Sequence, residues 1–186
     1  NDSFEYPSIF HIGGLDWLPN QEGILWFLKE CWPLVIAKLP EVKFYIAGRK
    51  APQAFQQKIQ RYPNLIFCGE VTSSVEFIRS KALMVVPLLS GSGMRIKIVE
   101  GMALGKAIVS TSVGAEGVDA VHDTHLAIAN TPVEMANSII NLLSSKQKIL
   151  QMGSNAQKFV KQQLDNDIIT KRLFLFYKDL LTDFNH

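Results

Sequence analysis

Between Ser90 and Lys106 the chain reads SGSGMRIKIVEGMALGK, a glycine loop that runs into a helical pattern opening on two cations and carrying a carboxylate one turn later. Gly91 and Gly93 let backbone N–H groups turn outward and come close to a ligand. A helix starting near Arg95 adds roughly +0.5 of an elementary charge at its N-terminus, directed at any anion in the loop. At about 100° per residue, Ile96, Val99, Met102 and Ala103 share an arc expected to pack inward, and Lys97 and Glu100 fall together beside it. The cation suits a diphosphate and the carboxylate suits a pair of sugar hydroxyls. A plain turn and a solvated amphipathic helix would use the same residues, so the loop alone does not decide the matter.

Other reactive side chains form no cluster. His11, His122, His125 and His186 stand singly and read as structural or surface groups. Cys31 and Cys68 lack CxxC or metal spacing and read as reduced thiols. The acidic triplet Asp165-Asn166-Asp167 precedes a helical pattern and reads as a helix cap rather than a metal site. Glu116 is within reach of a cleft but reads as a turn carboxylate. The expectation is that no metal and no other cofactor is bound.

These groups need a scaffold, and 186 residues suffice for one domain with a substantial core. The net charge of +2 is too small for a nucleic-acid binder, so any preference for phosphate must be local. Hydrophobic residues make up 47% of the chain without a run long enough to span a membrane and without a leader pattern at the start. Short apolar runs alternate with helical patterns. Strands are expected at Ser8–Ile12, Val42–Ala47, Asn64–Cys68, Ala82–Pro87, Lys106–Ser110 and His125–Ala129. Helices are expected from a cap at Asn20, with a break or kink at Pro33, then over Gln53–Arg61, from a cap at Ser73, and after Arg95. From Thr131 the pattern is helical to the end, with caps at Thr131, Ser154 and Asp165. Such alternation predicts an α/β fold: a Rossmann-like, doubly wound parallel sheet of about six strands, helices on both faces and a helical C-terminal segment. Ligands of such sheets bind beyond the carboxyl ends of the strands. Gly13-Gly14, Gly48-Arg49, Gly69-Glu70, the Ser90 loop and Thr111–Gly117 all follow a strand.

The stretches GSGMRIKIVEGMALGKAIVSTSVGAEGV (Gly91 to Val118), IGGLDWLPNQEGILWF (Ile12 to Phe27) and FYIAGR (Phe44 to Arg49) carry a family resemblance that covers nearly the whole chain. The chain resembles the C-terminal, nucleotide-sugar-binding half of retaining glycosyltransferases built from two Rossmann-like domains. That group includes glycogen synthases, sucrose synthases and bacterial polysaccharide and lipopolysaccharide sugar transferases.

The resemblance implies a role for each matching residue. Glu100 corresponds to the second glutamate of the family's pair seven residues apart, which holds the ribose hydroxyls. The first falls at Ser92, which is not a carboxylate, so the resemblance does not carry the family's usual donor-sugar contact over to this position. Gly93 and Met94 match loop positions whose N–H groups meet the sugar or the diphosphate. The family's diphosphate-binding arginine and lysine fall near Gly14 and Glu22, so Arg95 and Lys97 take over that duty, with Arg49 as a further cation. Glu70 and Val71 sit where the base is read, and Gly13 and Gly14 line the cleft towards a partner domain.

Taken together, residues 1–186 are expected to be the donor-binding domain of a bacterial sugar transferase, with Arg95, Lys97 and Glu100 nearest the chemistry. The implied partners are a nucleoside-diphosphate sugar and an N-terminal acceptor domain that this chain does not include. The domain alone is expected to be inactive. The implied location is the cytoplasm or the inner face of the membrane, reached through the absent half. Two other readings stay open. A dinucleotide-dependent reductase or an epimerase would need GxGxxG after the first strand, which is absent. A non-catalytic assembly module would keep the fold without the chemistry, consistent with Ser92.

Overall fold

A computed structural model describes residues 3–183. Six strands, β1 (Glu5–Ile12), β2 (Lys43–Ala47), β3 (Leu65–Gly69), β4 (Lys81–Val86), β5 (Ala107–Ser110) and β6 (Ala127–Ile128), pair in parallel in the order β3-β2-β1-β4-β5-β6. The helices are α1 (Leu18–Trp26), α2 (Trp32–Lys38), α3 (Gln53–Ile59), α4 (Ser74–Arg79), α5 (Ile96–Ala103), α6 (Pro132–Leu143), α7 (Lys146–Gln163) and α8 (Asn166–Asp183). This is the doubly wound α/β sheet that the alternation predicts. The strand order reverses between β1 and β4, the switch point at which sheets of this kind form their ligand crevice.

Alternate strand residues feed two cores. Ile9, Leu83, Val85 and Val109 pack with Ile24, Phe27, Trp32, Phe55, Met135 and Ile139 on one face. Phe10, Met84, Val86 and Ile108 pack with Ile78, Ile98, Met102 and Val160 on the other. Burial on both faces explains why the strands read as continuous apolar runs.

Several local expectations are corrected. Helix α1 starts before Asn20, with Pro19 in its first turn, where no N–H is required. Asn20 therefore lies inside the helix, 2% exposed, and is not its cap. Pro33 does not break the chain. A π-helical turn at Phe27–Cys31 precedes it and the backbone resumes as α2, with Pro33 in the first turn. Ser73 and Thr131 cap α4 and α6 as expected, Thr131 in a reciprocal capping box with Glu134. Ser154 lies within α7, which is capped instead by Ser145. Asp165 Oδ1 accepts the Asp167 N–H at 2.9 Å at the head of α8, a helix-cap use of the acidic triplet.

The buried arc of α5 is also rotated from the one counted. Ile98 and Met102 are fully buried, whereas Ile96 is 71% exposed and Ala103 is exposed. Gly101 is the cause: a Cβ there would lie 2.8 Å from Met84 Sδ and 3.2 Å from Ile108 Cδ1, so the helix presses its bare backbone onto the sheet. Counting apolar side chains gives a glycine no weight and so misses the face.

The C-terminal residues Leu173, Phe174, Phe176, Tyr177 and Leu180 stay exposed on α8. A run of consecutive apolar residues encircles a helix, so no single rotation can bury them all. His186 lies outside the described residues. Both cysteines are free, and burial pushes the Cys31 thiol up to about 12. No described helix is long and apolar enough to cross a membrane.

The Gly101 contact is directly testable. Gly101→Val should cost about 1–3 kcal/mol in urea unfolding by overpacking the sheet, while Ile96→Ala should change stability by less than about 0.5 kcal/mol.

Candidate functional site

Because all the strands run parallel, the five loops that follow β1 to β5 leave the same edge of the sheet. Three of them are joined through backbone: Gly13 N–H donates to Ala47 O (3.2 Å), Leu15 N–H to Arg49 O (2.9 Å) and Gly48 N–H to Gly69 O (2.8 Å). Thr111 Oγ1 donates to Leu88 O (2.5 Å) and ties the β5 loop to the β4 loop.

Lys97, in the first turn of α5, reaches across the crevice to β1 and α1. Its Nζ donates to Asn20 Oδ1 (2.7 Å) and faces His11 Nε2 at 3.3 Å. His11 is fully buried, and its Nδ1 lies 2.9 Å from Val85 O. A carbonyl can only accept, so Nδ1 carries the proton; the neutral ring then offers the Nε2 lone pair to Lys97. Burial, and next the Lys97 charge, hold the imidazole well below its ordinary pKa. Asn20 Nδ2 donates to Gly14 O (2.7 Å), which fixes the amide so that its oxygen faces the ammonium. A Cβ at Gly13 would lie 2.8 Å from Lys97 Nζ and 3.0 Å from Asn20 Nδ2, so a larger residue there would make the amine shift.

An ammonium has three protons, and these two partners take two. Burial first, and the Arg95 charge second, lower the Lys97 pKa to about 7. The site thus holds its amine at the edge of charge.

Arg95, the residue before α5, is 9% exposed. Its Nη1 donates to Ser92 O (2.6 Å) and its guanidinium lies 5.4 Å from the Trp17 ring centre. Nε and Nη2 are buried without a partner. Unpaired buried donors cost about 1–3 kcal/mol, and an anion in the crevice would relieve that cost. The loop above uses positive φ at Gly91 (118°) and Gly93 (84°), and Gly93 N–H donates to Glu116 Oε2 at 3.1 Å. Ser92, Gly93 and Met94 are exposed.

Gly13, Gly14, Arg95, Lys97 and the Ser92–Met94 loop therefore gather at the switch between β1 and β4. Glu100 is exposed one turn along α5 from Lys97 and makes no ion pair among the described residues. Arg49, Glu70 and Val71 lie farther out, at the ends of β2 and β3, with Arg49 and Glu70 exposed. Among the described residues no cluster of three His, Cys, Asp or Glu side chains could hold a metal ion.

His11, Asn20 and Trp17 belong to this site and the sequence reading did not pick them. A signal existed for two of them: an imidazole in the apolar strand SIFHI, and an asparagine directly after Pro19, a residue type that favours the first helical turn and so places the cap before it. A separate concavity of about 1040 Å³ lies between α6, α7 and the β6 edge. Its polar walls largely bond to each other, Lys148 to Asn141 and Ser144, Gln151 to Asn155.

The amine's setting fixes a pH dependence. With a folded pKa near 7 against an ordinary 10.5, the native state binds fewer protons than the unfolded state between those values, so this group makes stability rise with pH across that window. An NMR titration of the Lys97 side chain should centre near pH 7. The stability of wild type relative to Lys97→Met should climb from pH 7 to about pH 10.

The family model described as "Glycosyl transferases group 1" matches residues 6–145. An uncharacterised 44.6 kDa protein from the cps region of Klebsiella pneumoniae is 27% identical over 174 residues, covering 90% of this chain and 45% of that protein. The chain spans less than half the length of the curated relatives it matches. Among solved structures, a complex of the S. aureus TarM G117R mutant with fondaparinux, alpha-GlcNAc-glycerol and UDP superposes with a TM-score of 0.77 at 18% identity, over 94% of this chain and 36% of that one. Anabaena HepE with UDP and glucose gives a TM-score of 0.66 at 19% identity, over 93% of this chain and 48% of that one. With three quarters of its length matched by the family and its fold shared with the TarM structure, the chain belongs to the group 1 glycosyl transferases, as a GT-B-type Rossmann-like domain.

Proposed function

We propose that this chain is the C-terminal, donor-binding half of a retaining, metal-independent hexosyltransferase acting in glycan or polysaccharide synthesis, and that it takes a nucleoside-diphosphate sugar. The carrying observation is the pair of unpartnered donors on buried Arg95 beside a Lys97 amine with a free proton, at the crevice between β1 and β4. A diphosphate would satisfy both. The TarM and HepE structures hold UDP in this type of fold, and the Klebsiella relative is a protein of the cps region, which together favour a nucleotide sugar and a polysaccharide product. An N-terminal acceptor domain fits the share of the relatives that this chain leaves uncovered, and without it the domain would bind donor but not turn it over.

Negative charge grows on the departing diphosphate as the anomeric bond breaks. Fixed cations aimed there act more strongly in the transition state than in the ground state. Arg95, Lys97 and the open N-terminus of α5 would supply this without a metal ion. Lys97 has already lost much of its hydration, so its charge would act at short range with little reorganisation. Glu100, one turn on, would accept from the ribose hydroxyls.

Calorimetry with UDP, ADP and GDP and their nucleosides tests the reading. Lys97→Ala should weaken the preferred diphosphate at least about tenfold, the effect of losing one charged hydrogen bond, and leave the nucleoside within about twofold. Equal losses for both would refute the phosphate role. Glu100→Gln should narrow the preference for ribose over 2′-deoxyribose nucleotides; an unchanged preference would remove Glu100 from the ribose site. No binding of any nucleotide by the wild type would favour an assembly module.

A further inference from the structure

The glycine loop from Ser90 to Met94 contains no carboxylate of its own, yet one reaches it from another strand. Glu116 Oε2 accepts the Gly93 N–H at 3.1 Å. The contact is built rather than incidental. Gly117 adopts a φ of 77°, and a Cβ placed on it would lie 3.3 to 3.5 Å from Met94, so the turn after β5 lies directly against the glycine loop. Glu116 is exposed and makes no ion pair among the described residues. One oxygen is anchored by Gly93, which leaves the other free to accept. The cations Arg95 and Lys97 lie on the far side of the loop, towards β1, so the carboxylate sits beyond them rather than among them.

We propose that Glu116 is a specificity-determining acceptor for the donor sugar: anchored by the Gly93 N–H, its second carboxylate oxygen takes a hydrogen bond from a hydroxyl of the transferred hexose. This rests on the nucleotide-sugar reading above. A sugar joined to the β-phosphate must leave the diphosphate next to the loop that holds it, and hydroxyl donors are recognised most strongly by ionised acceptors. Glu100 already faces the nucleoside side in that reading, so the two carboxylates would measure the two ends of the donor. No bond is made or broken at Glu116, and it acts by selection rather than by proton transfer.

The test compares wild type, Glu116→Gln and Glu116→Asp by calorimetry against UDP, ADP and GDP and against UDP-glucose, ADP-glucose and GDP-mannose. The side chain is exposed and Gln can still accept from Gly93, so both variants should fold, as checked by unchanged melting temperatures. In wild type, the preferred sugar nucleotide should bind more tightly than its bare diphosphate. Glu116→Gln should cut that sugar-dependent gain at least about tenfold and leave the diphosphate within about twofold. Glu116→Asp keeps the charge but shortens the reach, and should fall between the two.

Tighter diphosphate binding by Glu116→Gln with the sugar gain intact would overturn the proposal and make the carboxylate a competitor for the phosphate site. No change in either quantity would overturn it equally, while leaving the nucleotide-sugar reading in place. If wild type binds no nucleotide at all, that reading falls and this proposal falls with it.

Discussion

The contact between Lys97 and the buried pair Asn20 and His11 sets the terms for the rest of the crevice. It joins α5, which packs on one face of the sheet, to β1 within the sheet and to α1 on the other face, across the point where the strand order reverses. Each partner is itself held. Val85 O fixes the tautomer of His11, Gly14 O fixes the amide of Asn20, and the missing side chain of Gly13 leaves the space for the amine. Strip out any one of these and the amine loses either its position or its room. These partners fix where the amine sits, but they do not offset the cost of drawing an ammonium out of water, and burial still lowers its pKa to about 7.

Arg95 completes the arrangement by a different route. Its planar guanidinium lies over Trp17 and ties back to Ser92 O, so it is placed by stacking and one hydrogen bond rather than by a polar cage. Burial first, and the neighbouring Arg95 charge second, lower the pKa of Lys97. Like charges held together in this way are a drain on stability that an anion between them reverses. That is the physical reason for reading the crevice as an anion site rather than as a surface ornament.

Much of this was legible in the sequence, and the parts that were not fail for definite reasons. Alternating apolar runs and helical patterns predict the doubly wound sheet, because burial on both faces leaves an unbroken signature in each strand. The glycine loop, Arg95, Lys97 and the two glycines after β1 were legible because they sit next to strand ends, where topology alone decides their neighbours. Asn20 was misread as a cap because the helix, with Pro19 in its first turn, is capped three residues upstream at Trp17. His11 was passed over because a lone imidazole in an apolar strand is usually inert, and its partners lie 74 and 86 positions away in the chain. The face of α5 was misjudged because a glycine can be the residue nearest the sheet. The outward aromatic face of α8 ran against the expectation that apolar residues find a core, since a run that encircles a helix cannot all turn one way.

The loops around the crevice are secured unequally. Those after β1, β2 and β3 are stitched backbone to backbone, so they extend the sheet and share its stiffness. The strap from Ser90 to Met94 is held instead by two side-chain tethers, Arg95 to Ser92 O and Glu116 to Gly93 N–H, with glycines at its bends. An incoming ligand would draw on the same two side chains that pin this strap. The floor of the crevice is therefore held by backbone and its roof by side chains, so that a single substitution at Arg95 or Glu116 reaches the roof and leaves the floor intact.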